Sequence, residues 1–277
     1  MGKVWFITGA SRGFGRAYAE EAVAHGDYVV AAMRTVRTDD AFLNDEHVLP
    51  VSMDVTDERQ ITDAVQAAVD KFGRIDVLVN NAGFGFFGAF EETSDAELRA
   101  VMETNVFGVA GVTRAVVPIM RRQGSGRIIN IASRSGMIGE AGCTLYNAAK
   151  FAIVGLSEGL AEELGDFGIQ VMAACPGSFR TDFRDVSSKK EPKNLMSEYE
   201  GKLGHRALVG TREGNHKQAG DPKKAAKLIY EAANWEHMPV KLMIGEDCCH
   251  DVTIKLAHDI EEIQSYYSRS ADTKIDD

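Results

Sequence analysis

The chain of 277 residues has little cysteine. Cys143, Cys175, Cys248 and Cys249 are the only four, and none stands at metal-ligand spacing. A zinc-stapled or disulfide-stapled scaffold is therefore excluded, and the expectation is reduced thiols and no metal. Positive charge is also short. The 31 Lys and Arg against 41 Asp and Glu leave a net charge of −10, opposite to the electrostatic footprint of a nucleic-acid binder. No run of 18 uncharged apolar residues occurs, so no membrane span is expected. The start, Met1-Gly2-Lys3-Val4-Trp5-Phe6, runs straight into a strand-like segment and leaves no room for a signal peptide. Phe6 also stands where a myristoylation motif requires Ser or Thr. These absences predict a cytoplasmic globular protein whose partner is a small molecule rather than a nucleic acid or a membrane.

What is present is an alternation of apolar runs with segments of helical period, the pattern of βα units on a parallel sheet. Strands are expected at residues 4–8, 28–32, 48–53, 76–80, 127–132, 169–174 and 241–244. Helices are expected at 13–25, after Thr56, at 106–122 and at 143–167. Ile61, Ala64, Val65, Ala68, Val69 and Phe72 follow the i, i+3, i+4, i+7 rule of a helix laid on a sheet, and Ser94 with Glu97 can form a capping box. The prediction is an α/β, single-domain Rossmann-type fold: a doubly wound parallel sheet of about seven strands with helices on both faces. Its core spans 3–245. Residues 183–220 break the rhythm with Lys, Glu, Ser and Gly and read as a substrate-loop insert without regular structure. Residues 246–277 form an extension whose end, after Ser268, reads as a frayed tail.

Gly9, Gly13 and Gly15 follow the first strand and open the first helix. Glycines there allow a tight turn and let a pyrophosphate reach the helix N-terminus, where free N–H groups and the helix dipole favour an anion. The spacing is G-x3-G-x-G. NAD-specific sites carry Asp or Glu about 20 residues on, at the end of the second strand. Here that strand ends in Arg34, with Asp39 and Asp40 too late, while Arg12 lies inside the loop. Two guanidinium groups suit a ribose 2′-phosphate, so NADP(H) is expected ahead of NAD(H).

Tyr146 and Lys150 are four apart and share a helix face. Tyrosine with a pKa of about 10 is a poor acid–base at neutral pH. A neighbouring ammonium and a cationic nicotinamide both favour phenolate, so a fall toward 7 is expected, worth about 4 kcal/mol. Ser133 ends the fifth strand, at the carboxyl edge where such sheets bind ligands, and can donate to a carbonyl oxygen that gains charge.

These residues carry a resemblance. Over residues 3–245 the chain resembles the short-chain dehydrogenase/reductase family. The matching motifs are Thr8-Gly-Ala-Ser-Arg-Gly-Phe-Gly15, Asn80-Asn-Ala-Gly83, Asn105 in Glu-Thr-Asn-Val, Ser133, Tyr146-x3-Lys150, and Pro176-Gly177 with Thr181. Phe14 replaces a more usual aliphatic residue and Arg134 a small one. The resemblance implies strand order 3-2-1-4-5-6-7, Tyr146 as acid–base, Ser133 as carbonyl partner, Lys150 on the nicotinamide ribose and Asn105 holding a relay water. It implies cofactor contacts at Gly9, Ser11, Arg12, Gly13, Phe14, Gly15, Arg34, Asp54, Val55, Asn81, Ala82, Gly83, Tyr146, Lys150, Pro176, Gly177 and Thr181. It places Phe86, Phe87, Met137, Cys143, Phe179 and Phe183 around an apolar substrate pocket. The Phe-rich stretches 84–90 and 178–183 are similar to the hydroxysteroid-dehydrogenase-like branch. It further implies a homodimer or homotetramer paired through the two long helices. The expected reaction is hydride exchange between nicotinamide and a hydrophobic ketone or secondary alcohol. An epimerase or dehydratase on the same residues, or a nucleotide-sensing regulator without turnover, are the competing readings.

Overall fold

A computed structural model describes residues 2–37, 39–186, 188–273 and 275. Met1, Thr38, Ser187 of the insert, and Lys274, Asp276 and Asp277 of the extension lie outside the described residues. Seven parallel strands form one sheet: β1 (Val4–Thr8), β2 (Tyr28–Met33), β3 (Val48–Ser52), β4 (Val77–Asn80), β5 (Gly126–Ile131), β6 (Ile169–Pro176) and β7 (Lys241–Ile244). Their spatial order is β3-β2-β1-β4-β5-β6-β7, as expected. The chain runs outward from β1 to one edge, crosses back, and runs to the other. The switch point therefore lies between β1 and β4, where doubly wound sheets open a crevice at their carboxyl ends.

Strand residues alternate between two buried faces. Trp5, Ile7, Val29, Ala31, Val77 and Val79 pack with Tyr18, Ala19 and Ala22 of α1 (Gly13–Ala24) and with Ala225 and Ile229 of α7 (Pro222–Asn234). Val4, Phe6, Val30, Ala32 and Leu78 pack with Ile61, Ala64 and Val65 of α2 (Glu58–Phe72) and with Val112 and Val116 of α4 (Gly108–Gln123). Burial on both faces is why these strands read as continuous apolar runs rather than alternating ones.

Three elements depart from the sequence reading. The helix expected at 106–122 is the last part of a continuous stretch, Asp95–Gln123, in which α3 (Asp95–Met102) passes through a π-turn at Glu103–Phe107 into α4. By length and composition alone that stretch is long and apolar enough to cross a membrane, as core helices of globular folds also are; 39% of its most apolar window is buried. α5 (Thr144–Gly165) carries Tyr146 and Lys150 near its start. The segment 183–220 is not structureless: it holds a strand at Lys189–Lys190 paired with Gly85–Phe86, and α6 (Leu203–Glu213). The buried side of α6 is His205, Leu208 and Thr211, so two polar residues concealed its period. The extension forms α8 (Glu246–Ser270), which buries only Cys248 and Val252. All four cysteines are free thiols.

Candidate active site

The glycine loop is shaped by contacts that forbid side chains. Gly9 and Gly13 adopt φ of +67° and +57°, the left-handed region that favours glycine. Gly15 stays behind the loop: a Cβ there would lie 2.3 Å from the Gly9 carbonyl oxygen and 2.5 Å from Asn81 Nδ2. Its place is thus close helix–strand packing rather than the cleft wall. Arg12 caps α1 without any side-chain cap bond, so the helix opens toward the cleft with its N-terminal N–H groups available to an anion. This cradle fits a dinucleotide diphosphate.

Asn81 ties the loop to β4. Its Nδ2 donates to the Thr8 carbonyl at 2.9 Å and the Gly9 carbonyl at 3.2 Å, while the N–H groups of Asn81 and Ala82 both donate to Thr8 Oγ1 at 2.9 Å. The sequence showed only a polar turn here. Asn80, beside it, is buried and donates to Thr113 Oγ1 at 2.9 Å and Asn130 Oδ1 at 2.8 Å, and Asn130 donates to Ser157 Oγ at 2.9 Å. That buried chain links α4, the sheet and α5 beneath the site.

Ser133, just past β5, caps a turn at Arg134–Gly136, its Oγ accepting from Ser135 N at 3.1 Å. Lys150 is buried and donates from Nζ to the Ile131 carbonyl at 2.7 Å, with Nζ 5.7 Å from the centre of the Tyr146 ring. Burial lowers the Lys150 pKa from 10.5 to about 8. For Tyr146 the groups of the chain itself act against the expected fall. Burial raises its pKa well above 10, a hydrogen bond with Ser133 pulls it down in part, and Cys143 adds to the rise. The desolvation of a phenolate outweighs that one bond. Asn105 is buried at the π-turn, and its side chain is committed to Phe84: Nδ2 donates to the Phe84 carbonyl at 2.9 Å and Oδ1 accepts from Phe84 N at 3.0 Å. It does not line the cleft, whereas Thr104 does.

One cavity of about 970 Å³ joins these parts. Gly9, Ser11, Arg12, Gly13, Phe14, Arg34, Asp54, Val55, Asn81, Ala82, Gly83, Ser133, Tyr146, Lys150, Pro176, Gly177 and Thr181 all line it. The carboxylates that come late after β2 face other partners: Asp39 pairs with Arg37 at 3.0 Å, and Asp40 with Arg16 at 2.5 Å. Asp54 is held by Thr56, whose N and Oγ1 both donate to its Oδ1. Around Tyr146, Phe87 and Phe183 pack against its ring, with centroids 6.1 Å apart for Phe87–Tyr146 and 5.7 Å for Tyr146–Phe183. Cys143 and Phe179 also line the cavity. Phe86 and Met137 do not; they sit in core clusters with Leu145 and with Ile153, respectively.

The sequence reading missed the cavity's polar lining, which includes Arg134, Arg184, Lys190 and Arg206. It also missed what holds the insert in place. Glu92, buried, accepts from Ala89 N, from Met196 N at 2.6 Å and from His205 Nε2 at 2.8 Å. Tyr199 Oη donates to Glu91 at 2.7 Å, and Lys193 N to Glu97 at 3.1 Å. The only available signal was a cluster of acids at 91–97 and a basic insert, which fixes no pairing.

Comparisons with known proteins agree with this geometry. A family model for short chain dehydrogenase matches residues 3–192. An oxidoreductase, BOA17, of Botryotinia fuckeliana is 38% identical over 250 residues, covering 89% of this chain and 90% of that protein. The crystal structure of a short-chain dehydrogenase from Streptomyces avermitilis superposes with a TM-score of 0.91 at 40% identity, covering 99% of this chain and all of that one. A short chain dehydrogenase/reductase from Burkholderia phymatum, solved in complex with NAD, gives a TM-score of 0.79 at 29% identity, with 95% of each chain covered. The chain belongs to the short-chain dehydrogenase family of oxidoreductases.

Proposed function

We propose that this chain is an NADP(H)-dependent oxidoreductase that interconverts a ketone with an apolar body and its secondary alcohol, using Tyr146 as acid–base. The observation that carries this reading is the convergence of Ser133, Tyr146 and Lys150 at one end of a cleft whose other end is the open N-terminus of α1. A nicotinamide cofactor, when bound, supplies the hydride exchange. Gly9, Ser11, Gly13 and the start of α1 would hold its diphosphate. Asp54 and Val55 would meet the adenine, Asn81, Ala82 and Gly83 the adenosine side, and Pro176, Gly177 and Thr181 the nicotinamide end. Arg12 and Arg34 on the cleft wall favour a 2′-phosphate, and the engagement of Asp39 by Arg37 and of Asp40 by Arg16 removes the acids that would favour a free ribose hydroxyl.

In the reductive direction Ser133 donates to the substrate oxygen and stabilises the charge that builds there. Tyr146 Oη delivers its proton to that oxygen as the carbon is reduced, leaving a phenolate beside the Lys150 ammonium. Lys150 is held in place by the Ile131 carbonyl. Asn105 bonds the Phe84 main chain through its side chain and does not line the cleft, so it would act by holding the segment after β4 in place. The phenolate, costly in this buried setting, is favoured by the Lys150 ammonium, and a bound oxidised nicotinamide would add a second positive charge in its favour.

The test is loss of NADPH absorbance with a panel of ketones. Tyr146→Phe is expected to abolish turnover while NADPH binding stays within a few-fold. A fully active Tyr146→Phe variant refutes the mechanism, and a higher kcat/KM with NADH than with NADPH refutes the cofactor assignment. We also infer a homodimer or homotetramer paired through α4 and α5, supported by the exposure of Phe107 and Phe151 and the shallow burial of the Asp95–Gln123 stretch. A monomeric mass by light scattering at micromolar concentration refutes it.

A further inference from the structure

The chain is acidic as a whole, yet the substrate end of its cleft is lined by cations. One of them, Arg134, is neutralised by Glu140 at 2.7 Å and by Asp251. The side chains of Arg184, Lys190 and Arg206 make no hydrogen bond or ion pair among the described residues. Lys190 and Arg206 are exposed, so water serves them. Arg184 is half-buried, and burial together with Arg134 lowers its pKa from the ordinary value. The carboxylates within its field are already engaged: Glu140 by Arg134, and Asp247 by Ser178 N at 2.7 Å. A partly desolvated guanidinium without an anionic partner is unfavourable for the protein alone.

Its position is specific. Arg184 ends the turn Asp182–Arg184, directly after Phe183, whose ring packs on Tyr146. It acts electrostatically on Cys143, the residue that caps α5 one turn before Tyr146. Arg206 comes from α6, which is seated over the segment that leads into α5: a Cβ on Gly142, next to Cys143, would lie 2.6 Å from the Gly204 carbonyl oxygen and 3.1 Å from Ala207 Cβ. Lys190 enters from the short strand paired with Phe86. The α1 N-terminus, with Arg12 and Arg34, already serves the cofactor's phosphates on the proposed reading. The planar fork of an arginine matches a carboxylate or phosphate bidentately.

We propose that Arg184, supported by Arg206 and Lys190, recognises a carboxylate or phosphate on the substrate, so that this enzyme takes an anionic ketone in preference to a neutral one. The apolar body of that ketone lies against Phe87 and Phe183. This inference rests on the carbonyl-reduction reading above. The kinetic test compares 4-oxo-4-phenylbutanoate with its methyl ester, using NADPH. The wild type is expected to favour the acid at least tenfold in kcat/KM. Arg184→Gln is expected to cut that preference about 10- to 100-fold, the span of a charge-assisted hydrogen bond, and Arg184→Lys to restore part of it. Equal rates for acid and ester in the wild type, or an unchanged preference in Arg184→Gln, overturn the proposal. Weakened NADP binding in parallel with the loss assigns Arg184 to the cofactor and also overturns it.

A binding arm separates this idea from the reaction. Unreactive 4-phenylbutanoate, 4-phenylbutyl phosphate and 4-phenylbutanol are titrated into the NADP-loaded enzyme by calorimetry. Tighter binding of either anion than of the alcohol, lost in Arg184→Gln, supports the site even if neither ketone is reduced, and the better anion identifies the group. Equal affinities, or no binding of any probe, overturn it. Failure of both ketones to turn over counts against the carbonyl reading alone.

Discussion

Replacing Lys150 with methionine is predicted to stabilise the protein while destroying its activity. Lys150 is 7% exposed, and burial holds its pKa near 8 against 10.5 in water. Below pH 8 the folded protein therefore carries a proton it binds more weakly than the unfolded chain does. At 1.36 kcal/mol per pKa unit that difference costs about 3 kcal/mol. Methionine removes the cost and keeps the stem's packing. It also loses the bond to the Ile131 carbonyl, worth about 1–2 kcal/mol. The net gain is about 1–2 kcal/mol at pH 6.5, or a rise in Tm of about 2–8 °C at 2–4 °C per kcal/mol. The sign of the pH dependence follows. Wild-type stability rises as pH climbs from about 8 through 10.5, because the unfolded chain holds more protons in that window, so the gap to Lys150→Met closes there. Urea melts at pH 6.5, 8 and 10.5, at fixed protein concentration, measure both. A variant less stable than wild type at pH 6.5, or a gap that does not change between pH 8 and 10.5, refutes the reasoning.

Three further perturbations test the surrounding framework. Gly15→Ala puts a methyl group 2.3 Å from the Gly9 carbonyl oxygen and is expected to cost about 1–3 kcal/mol and weaken NADPH binding, whereas Gly26→Ala, at φ +78° with open space around it, costs only its backbone strain of about 1–2 kcal/mol; equal NADPH affinities in the two variants contradict this. Asn130→Ala breaks the buried chain from Asn80 to Ser157 and is expected to lower stability by about 1–3 kcal/mol in urea melts, a loss below 0.5 kcal/mol being the contrary result. Glu92→Gln weakens the anchor of the insert and is expected to speed hydrogen exchange across residues 196–213. Burial raises the Glu92 pKa, but its bonds from Met196, His205 and Ala89 outweigh that and lower it from 4.5, so the wild-type anchor is complete above the ordinary value and lost as pH falls through the depressed one. Unchanged exchange in Glu92→Gln counts against the anchor.

The strands and the residues at their carboxyl ends were legible because each depends on local pattern. Val4–Thr8 followed by Gly9, Gly13 and Gly15 states a strand, a turn and a helix start within a dozen residues. Ser133 at the end of β5, and Tyr146 with Lys150 one helical turn apart, needed only the sheet's polarity to converge. The insert was not legible. α6 buries His205 and Thr211 beside Leu208, and a helix whose inner face is half polar has no apolar period to read. The π-turn at Asn105 was equally hidden, since its side-chain bonds to Phe84 join positions 21 apart.

The sequence by itself determined the strands, the glycine turn that opens α1 and the shared helix face of Tyr146 and Lys150, because periodicity, glycine spacing and helical spacing are local properties that tertiary packing only assembles; the strand order came with the family resemblance. The tertiary structure decided what surrounds Tyr146. It turned Phe86 and Met137 into core, brought Phe87 and Phe183 against Tyr146, and left the Arg184 side chain half-buried with no ion-pair partner among the described residues. It also set the sign of the Tyr146 shift within the chain. Desolvation depends on everything packed around a group, and no spacing along the chain encodes that.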